Sequence, residues 1–592
     1  MADVRRLAGG LALAVALWLL NAALTFHNAW PTPAVRLPMP PELSLELAAA
    51  LLALAAWTAW RARRGAAPPA VAGLLAAVTL AFALGRYAEV TAPALYGRPV
   101  NLYWDAPHLG GVAQMLAEAA GPGLALLAVL GALLGLGLVG WLLRLAWARV
   151  LAGLATRTGR RAVAWIGSLA LALGLADAFG HAPTHDWLRV ATPVSATYVE
   201  QAQLILHAWQ VDRAGDGAAA ASAAEANAAS TADAASADAR AISASSLATS
   251  PDPRFHALGG DDVLLVFLES YGSIAWTDAT LAARLAPERA ALARAVEVTG
   301  RTAVSATVVA PTFGGNSWLS HLSLLVGREV RDPGTYARTM QGRGRTLVSD
   351  FARAGYRTVA LMPGLRNPWP EGAYYGFDAI LGAAAIDYRG PEFGWWRIPD
   401  QYALAKLDVH AGPAPRFVFF PTISSHAPFR PTPPYQPDWA RLRSARPYGP
   451  EADAALARAP DWTNLAPAYG DSLAYALQWL AGYLERRADA PLTLVVIGDH
   501  QPPAAVGGPS DDWSVPVHVI TRRLAAVDAL RAAGFVPGLV PPRAALGRMH
   551  ELRPRLLAAF RGRGAAAIAS VPPPGVDVAG RTALPAAEQP AS

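Results

Sequence analysis

The feature that most constrains the fold of this chain is a series of five long apolar stretches in its first third. They lie near residues 7–26, 43–60, 70–88, 122–143 and 162–180. Each is close to the roughly 20 residues that an α-helix needs to cross the hydrocarbon core of a bilayer. The first is long and shows no small-residue cleavage site, which favours an uncleaved anchor over a signal peptide. The sequence therefore predicts an N-terminal α-helical transmembrane bundle of about five spans over residues 1–182.

Arginine is distributed unequally between the loops that join these stretches. One set of alternate loops and flanks holds Arg5, Arg6, Arg61, Arg63, Arg64, Arg144, Arg149, Arg157, Arg160 and Arg161. The other set holds only Arg36, Arg98 and the span-edge Arg86. The positive-inside rule then places the N-terminus in the cytoplasm and everything after residue 180 outside. Buried helices of a soluble protein are the alternative, and the consistent alternation of charge disfavours them.

The segment after the last apolar stretch differs in composition from both halves of the chain. Residues 195–212 have the pattern of an amphipathic helix lying on the membrane surface, whereas 214–250 are Ala, Ser, Asp and Thr with almost no large apolar side chain. Such a composition cannot bury a core and predicts a flexible linker. We therefore expect a surface helix and linker over 183–256, a catalytic domain over 257–564, and a disordered tail over 565–592.

Short apolar runs alternate with helical periodicity between residues 257 and 550. The runs are Val263–Leu268, Ala303–Val309, Arg357–Leu361, Phe417–Pro421, Leu492–Ile497 and Val515–Ile520, and helical patterns appear at 344–355 and 470–487. Continuous apolar runs are typical of strands buried on both faces. Alternating β and α segments predict an α/β domain with a mostly parallel sheet, whose ligands bind beyond the carboxyl ends of the strands.

Composition excludes two classes of function. The chain has no cysteine, which rules out disulfides, thiolate metal sites and cysteine nucleophiles. The formal net charge is +6, and no block of basic residues could track a phosphate backbone, so nucleic acid is not an expected partner.

Ionisable residues follow three of the predicted strands directly. Glu269 ends the first, His426 follows Phe417–Pro421, and Asp499 and His500 follow Leu492–Ile497. Each has an ordinary explanation when taken alone, as a helix N-cap or a loop hydrogen-bond donor. Because the ends of parallel strands meet at one edge of the sheet, we expect these side chains to converge. Two carboxylates and an imidazole would suit Zn²⁺, Mn²⁺, Mg²⁺ or another divalent ion.

A glycine-rich segment with small hydroxyl residues precedes an apolar helical run at 310–327. Ser317 stands at the predicted helix start, where free backbone N–H groups can hold a phosphoryl or sulfuryl group. A metal there would lower the pKa of the hydroxyl and make it nucleophilic. The alternative is that Ser317 is only an N-cap.

The spacing of this segment resembles the sulfatase pattern of a nucleophile, two residues, Ser-Arg, and a Leu-Leu-Thr-Gly end one helix later. Ser317 would be the nucleophile, Ser320 takes the serine position, and Leu324 to Gly327 form the end. His321 stands where sulfatases have arginine, and no cysteine is available to mature into formylglycine. These departures disfavour classical sulfate-ester hydrolysis.

Several short motifs resemble the lipoteichoic acid synthase branch, whose members are phosphotransferases with a hydroxyl nucleophile. They are Leu-Glu-Ser at 268–270, Ser-His-x-Pro-Phe at 425–429 and Gly-Asp-His at 498–500. The segment 393–403 resembles the branch's substrate-contacting Trp-Gly-x-x-Asp, which implies Trp396 or Arg397 as headgroup contacts. A threonine is the usual nucleophile there, so Thr312 is a rival to Ser317. Phosphoethanolamine transferases share the fold, but members of that family are usually held by several disulfides. A chain without cysteine is therefore a poorer match to them.

The resemblance implies a phosphotransferase anchored in the bacterial cytoplasmic membrane, with its catalytic domain periplasmic or extracellular. A phosphoglycerol-type headgroup would pass from a membrane phospholipid to Ser317 and then to a glycan or glycolipid acceptor. Glu269, Ser317, Asp499 and His500 would hold the metal, and His426 would bind the headgroup or protonate the leaving oxygen. A sulfatase-like ester hydrolase and a catalytically inactive membrane sensor remain the alternatives.

Overall fold

The computed structural model describes most of the chain outside its linker and tail. The described residues are 2–28, 42–61, 68–106, 109–178, 189–206, 209, 255–342, 344–394, 396–410, 415–508 and 510–562. The predicted linker at 214–250 and the tail at 565–592 lie outside these ranges.

Residues 1–182, predicted to lie in the membrane and called the membrane half below, are helical at each of the five apolar stretches where they are described. Its helices are α1 (Ala2–Thr25), α2 (Leu45–Arg61), α3 (Pro69–Tyr96), α4 (Leu102–Asp105), α5 (Leu109–Ala120), α6 (Pro122–Leu154) and α7 (Arg157–Ala178). Among the described residues, two helical segments are long and apolar enough to cross a membrane: Ala70–Tyr96 and Gly123–Leu154. The five-span count therefore stays a prediction.

Two of these helices run further than the apolar pattern predicts. Helix α6 continues past residue 143 and includes Arg144 and Arg149, which the sequence had assigned to a loop. Helix α3 continues to Tyr96 and includes Arg86, which is 3% exposed and pairs with Glu89. Helical hydrogen bonding does not stop where hydropathy falls, because arginine is a good helix former.

A short segment connects the membrane half to the linker. Strands β1 (Glu42–Leu43) and β2 (Arg189–Val190) pair in parallel, and residues 194–206 form a helix, α8. This helix is fixed to the membrane half, since Tyr198 donates a hydrogen bond to the Ala81 carbonyl (2.6 Å) and Gln201 to the Val100 carbonyl (2.8 Å).

The second half is an α/β domain built on an eight-stranded sheet. Its strands are β3 (Asp262–Leu268), β4 (Thr302–Val309), β5 (Arg357–Leu361), β6 (Ala379–Leu381), β7 (Arg416–Pro421), β8 (Leu492–Gly498), β9 (Ser514–Thr521) and β10 (Val536–Pro537). The order is β10-β4-β9-β8-β3-β7-β5-β6. Strands β8, β3, β7, β5 and β6 are parallel, whereas β9 runs antiparallel to β8 and β4, so β4 has the same direction as β8. The predicted mostly parallel sheet is confirmed.

Helices cover both faces of this sheet. They are α9 (Ile274–Thr277), α10 (Ala279–Arg284), α11 (Ala286–Val298), α12 (Ser317–Val326), α13 (Pro333–Gln341), α14 (Leu347–Arg353), α15 (Gly372–Tyr375), α16 (Ala383–Ile386), α17 (Asp400–His410), α18 (Trp439–Leu442), α19 (Pro450–Leu456), α20 (Ala466–Arg486), α21 (Ala504–Gly507), α22 (Leu524–Ala532) and α23 (Leu552–Arg561). Alternate residues of β3 enter two separate apolar cores, Leu264 and Val266 one and Val263 and Leu265 the other. Burial on both faces explains its unbroken apolar sequence.

Candidate active site and metal centre

Four chain segments that follow strands meet at one edge of the sheet. Glu269 follows β3, Asp499 follows β8, and His426 lies in the loop after β7. The loop after β4 leads to Ser317, the first residue of α12. Since these four strands share one direction, their carboxyl ends bring the four segments to the same edge.

The Ser317 hydroxyl contacts both an acid and an imidazole. Its Oγ donates a hydrogen bond to Glu269 Oε2 at 2.9 Å and lies 3.1 Å from His500 Nε2. Glu269 and His500 are 5% and 1% exposed, whereas Ser317 is partly exposed. A hydroxyl beside a buried carboxylate and imidazole, and still reachable from outside, has the environment of an activated nucleophile.

Asp499 presents one oxygen that lacks a protein partner. Its Oδ1 accepts the backbone N–H groups of Ser270 (2.8 Å) and His500 (2.7 Å), whereas its Oδ2 is buried without a hydrogen bond. A buried carboxylate oxygen left in this state is costly unless a further group binds it. The ligand atoms of Glu269, Asp499 and His500 all lie within 4.8 Å of one another. The three residues therefore fit a divalent metal ion.

His500 is oriented by the backbone next to it. Its Nδ1 lies 2.7 Å from the Gln501 carbonyl oxygen, which can only accept, so Nδ1 carries the proton. The other ring nitrogen, Nε2, then faces Glu269 Oε1 at 3.4 Å and Asp499 Oδ2 at 3.8 Å. A carbonyl that fixes the tautomer in this way is the usual support of a metal-binding histidine.

The charges in this buried cluster depend on one another. Burial lowers the pKa of His500, but the Asp499 and Glu269 carboxylates outweigh it and raise that pKa to about 9. Burial and the Glu269 charge raise the pKa of Asp499. Burial also acts to raise the pKa of Glu269, yet the hydrogen bond and charge of His500 hold it well below its usual value. A cation at this position is therefore compatible with the cluster, whether it is a proton on His500 or a metal ion.

Backbone strain accompanies two of the functional residues. Ser270, directly after Glu269, has φ 59°, and Asn316, directly before Ser317, has φ 60°. Non-glycine residues in this region concentrate at functional sites, where the surrounding structure holds them. Asn316 makes no side-chain cap, so the first N–H groups of α12 are not covered by a capping side chain and can face an anion. No sequence pattern predicted the backbone conformation of Ser270, although Gly-Gly-Asn before Ser317 is typical of such a turn.

The loop that carries His426 is braced by a buried acid. Asp400, at the start of α17, accepts the backbone N–H groups of Ile423 (2.8 Å) and Ser424 (2.9 Å), and its own N–H donates to Ser424 Oγ (3.1 Å). His426 Nδ1 lies 2.7 Å from the Ala427 carbonyl, which fixes the proton on Nδ1. Asp400 lies in the segment 393–403, but the sequence did not predict this role for it.

The remaining sequence candidates lie in different environments. Trp396 is 2% exposed and belongs to an apolar core, whereas the side chain of Arg397 is 40% exposed and lies 3.5 Å from Glu392. Arg397 therefore offers a surface to a substrate that Trp396 does not. Thr312 is 3% exposed and donates its hydroxyl to the Gly315 carbonyl (2.8 Å), which makes it a brace of the loop and favours Ser317 as nucleophile.

His321 lies one helical turn after Ser317 and is not part of the ligand cluster. Its ring packs edge-on against Phe267 and Phe419, with centroids 4.6 and 5.5 Å away, and its Nε2 is buried without a hydrogen bond. Burial lowers its pKa to about 3. His321 is therefore a neutral side chain in apolar surroundings, unlike the charged arginine found at this position in sulfatases.

Comparison with known proteins finds solved structures that resemble the chain. No family model and no curated protein matches it. The chain is similar to a solved member of the alkaline phosphatase superfamily. That protein, from Vibrio parahaemolyticus, is 16% identical over 50% of this chain and 69% of its own, with a TM-score of 0.32.

Two further solved structures bear names from the families that the motifs resemble. The lipoteichoic acid synthase LtaP from Listeria monocytogenes is 14% identical over 53% of this chain and 74% of its own (TM-score 0.34). The phosphoglycerol transferase GacH from Streptococcus pyogenes, in complex with sn-glycerol-1-phosphate, is 14% identical over 44% of this chain and 68% of its own (TM-score 0.30). Similarity at this level assigns no activity, which is inferred below from the site.

Proposed function

We propose that this chain is a metal-dependent phosphotransferase. It moves a phosphoglycerol-type headgroup from a membrane phospholipid to a glycan or lipid acceptor through a covalent intermediate on Ser317. One observation carries the proposal: the Ser317 hydroxyl, at an uncapped helix N-terminus, lies 2.9 Å from Glu269 and 3.1 Å from His500, beside an unpartnered oxygen of Asp499. That arrangement combines a nucleophile, a proton acceptor, a cation site and anion-binding N–H groups.

The first half-reaction forms the covalent intermediate. Ser317 Oγ attacks the phosphorus of the lipid phosphodiester, and its proton passes towards Glu269 Oε2, to which it already donates a hydrogen bond. A bond forms between phosphorus and Oγ, and the bond between phosphorus and the diacylglycerol oxygen breaks. The leaving oxygen takes a proton, which His426 would donate from Nε2 as the doubly protonated imidazolium.

Glu269, Asp499, His500 and Ser317 would hold the divalent metal, which supplies charge neutralisation at the phosphoryl oxygens and a lower pKa for the serine hydroxyl. The chain adds its own electrostatic support, because backbone N–H groups at the start of α12 point towards an anion bound beside Ser317. The strained backbone at Asn316 fixes the direction of that helix start before substrate arrives.

The second half-reaction returns the serine. An acceptor hydroxyl attacks the phosphorus, the bond to Oγ breaks, and Oγ takes its proton back from Glu269. The proton of the acceptor passes to His426, which reverses its earlier role. Arg397, whose side chain is 40% exposed, would contact the negatively charged headgroup. Water in place of the acceptor would make the enzyme a hydrolase, and both reactions use the same residues.

The test is a product analysis with the full-length protein. Protein in liposomes of phosphatidylglycerol labelled in the headgroup glycerol is incubated with Mn²⁺, Zn²⁺ or Mg²⁺, with and without a β-glucan acceptor. We expect release of diacylglycerol that requires a metal, together with labelled phosphoglycerol on the acceptor. Free glycerol phosphate as the only labelled product would favour the hydrolase. Absence of diacylglycerol with every metal, from protein that binds metal, would contradict the proposal.

A further inference from the structure

We infer that the end of membrane helix α3 positions the nucleophile loop, so that the membrane half is a working part of the catalytic site. The inference rests on the proposed function and concerns where the site can act. The nucleophile loop is defined here as residues 310–317. It contacts two groups at once: the last residues of α3 on one side and the segment after His500 on the other.

The first contact joins Gly97 to Phe313. Gly97 is the left-handed C-cap of α3 (φ 73°), and its N–H bonds to the Pro93 carbonyl at 2.9 Å. The ring of Phe313 lies so close that a Cβ at Gly97 would overlap its Cδ1 and Cε1 atoms. Phe313 is 2% exposed and also packs against Trp513, with ring centroids 6.1 Å apart. The loop therefore inserts a buried aromatic side chain against the end of a membrane helix.

The second contact joins Gly314 to Tyr96 and Pro503. A Cβ at Gly314 (φ 65°) would overlap the Tyr96 carbonyl and would lie 3.2 Å from Pro503 Cα. Only glycine suits both the backbone angle and this close approach. The end of α3 and the nucleophile loop are thus in backbone-to-backbone contact, three residues before Ser317.

The same contact region reaches the metal ligands through one carbonyl group. The Gln501 carbonyl accepts the N–H of Gly314 at 3.1 Å and the Nδ1–H of His500 at 2.7 Å. A displacement of Gly314 would therefore shift the His500 imidazole as well as Ser317. Leu95 of α3 and Val506 of α21 both pack against the larger apolar core of the catalytic domain, which extends the contact beyond the two glycines.

The segment that follows α3 is itself held in place. Arg98 pairs with Asp105 at 2.8 Å, and the Asn101 N–H donates to Asp105 at 2.8 Å. Gln201 of α8 accepts the Leu102 N–H at 2.9 Å. The end of α3 is therefore braced by its own loop and by α8, as a positioning element must be.

The consequence concerns the substrate. Because the loop that carries Ser317 rests on the end of a helix long and apolar enough to cross a bilayer, the nucleophile is held at a fixed height near the membrane surface. Lipid headgroups lie at that height, and soluble phosphodiesters do not concentrate there. Contact also requires that the end of α3 and the catalytic domain share one side of the membrane, as the arginine pattern predicts.

The test places one methyl group in the contact. Gly97→Ala adds a Cβ that meets the Phe313 ring, whereas Gly376→Ala adds one at another left-handed helix C-cap (φ 77°, ψ 39°) with no atom within 4 Å. Gly97 has φ 73° and ψ 11°, so both variants carry similar backbone strain, and only the first disturbs the contact. A misplacement of about 1 Å can lower a rate by about a hundredfold. We expect kcat on phosphatidylglycerol liposomes to fall at least about tenfold in Gly97→Ala and less than about twofold in Gly376→Ala.

A double variant and a metal assay separate positioning from misfolding. Gly97→Ala with Phe313→Ala removes the ring that the new methyl meets, so its kcat should exceed that of Gly97→Ala alone. Bound Mn²⁺ per protein should be the same in wild type, Gly97→Ala and Gly376→Ala. Equal kcat in the two single variants, with an active wild type, would overturn the inference and leave the proposed function intact. A wild type without turnover would instead refute the proposed function.

Discussion

The buried carboxyl of Asp400, which holds the loop that carries His426, should make the stability of the protein depend on pH, and the magnitude follows from the structure. Asp400 is 1% exposed, and burial raises the pKa of its carboxyl to about 6 against the hydrogen bonds from Ser424 and Ile423. A carboxyl whose pKa is raised in the fold stabilises the protein most when protonated. Its contribution is fully present below the usual value of 3.8 and is lost as the pH rises through about 6.

The magnitude is about 3 kcal/mol, since each pKa unit between about 6 and 3.8 corresponds to about 1.4 kcal/mol. The asparagine in Asp400→Asn does not titrate, so the free energy of unfolding of this variant lacks the pH-dependent contribution of the Asp400 carboxyl. The variant pays a separate cost of about 1–3 kcal/mol at every pH, because its amide NH2 faces a backbone N–H that now lacks an acceptor. Part of this contribution is already lost at pH 4.5, so the stability difference between variant and wild type should move by about 2 kcal/mol in favour of the variant between pH 4.5 and pH 8.

The assay is thermal unfolding of the full-length protein in detergent, followed by tryptophan fluorescence at both pH values. A change of about 2 kcal/mol corresponds to roughly 3 °C in the difference between the two melting temperatures. Asp528→Asn, an exposed change on α22, serves as the control and should show no such pH dependence. A difference between Asp400→Asn and wild type that stays constant with pH, or moves the other way, would refute the assigned pKa and its cause.

Four further outcomes follow from the site and the topology. Ser317→Ala should abolish turnover with metal content unchanged, because the nucleophile is lost while Glu269, Asp499 and His500 remain, and Ser317→Thr should keep some activity; an active Ser317→Ala would exclude this nucleophile. Thr312→Ala should be much milder, since that hydroxyl only braces the loop, and loss of activity there with an active Ser317→Ala would reverse the assignment. Asp499→Asn should lose bound Mn²⁺ or Zn²⁺ measured by elemental mass spectrometry, whereas Asp528→Asn should retain it; retention by both would move the metal elsewhere. A phosphatase reporter fused to the C-terminus should be active outside the cytoplasmic membrane, and a cytoplasmic signal would contradict both the topology and the lipid donor.

The sequence predicted the central strands closely, because strands buried on both faces consist of continuous apolar residues. Strand β3 was predicted at Val263–Leu268 and is found at Asp262–Leu268, and β9 was predicted at Val515–Ile520 and is found at Ser514–Thr521. The edge strands Ala379–Leu381 and Val536–Pro537 were missed, since two or three residues give no periodicity. The antiparallel direction of β9 was not predicted either, because strand direction depends on connections rather than on local pattern.

The convergence of the site was predictable in part. Residues that directly follow parallel strands, such as Glu269 and Asp499, must approach one another. The Asp400 brace and the Gln501 carbonyl could not be predicted, because each acts through backbone groups distant in sequence. The contact of α3 with the nucleophile loop likewise depends on how two halves of the chain pack, which no single segment records.

The most direct measurement is to trap and map the covalent intermediate. Full-length protein loaded with Mn²⁺ or Zn²⁺ is mixed with phosphatidylglycerol labelled in the headgroup, quenched in acid within the first turnover, digested, and analysed by peptide mass spectrometry. We predict a labelled phosphoglyceryl group on Ser317, absent from Ser317→Ala and from protein stripped of metal. A label on Thr312, or diacylglycerol release without any labelled peptide, would contradict the seryl intermediate on which the account depends.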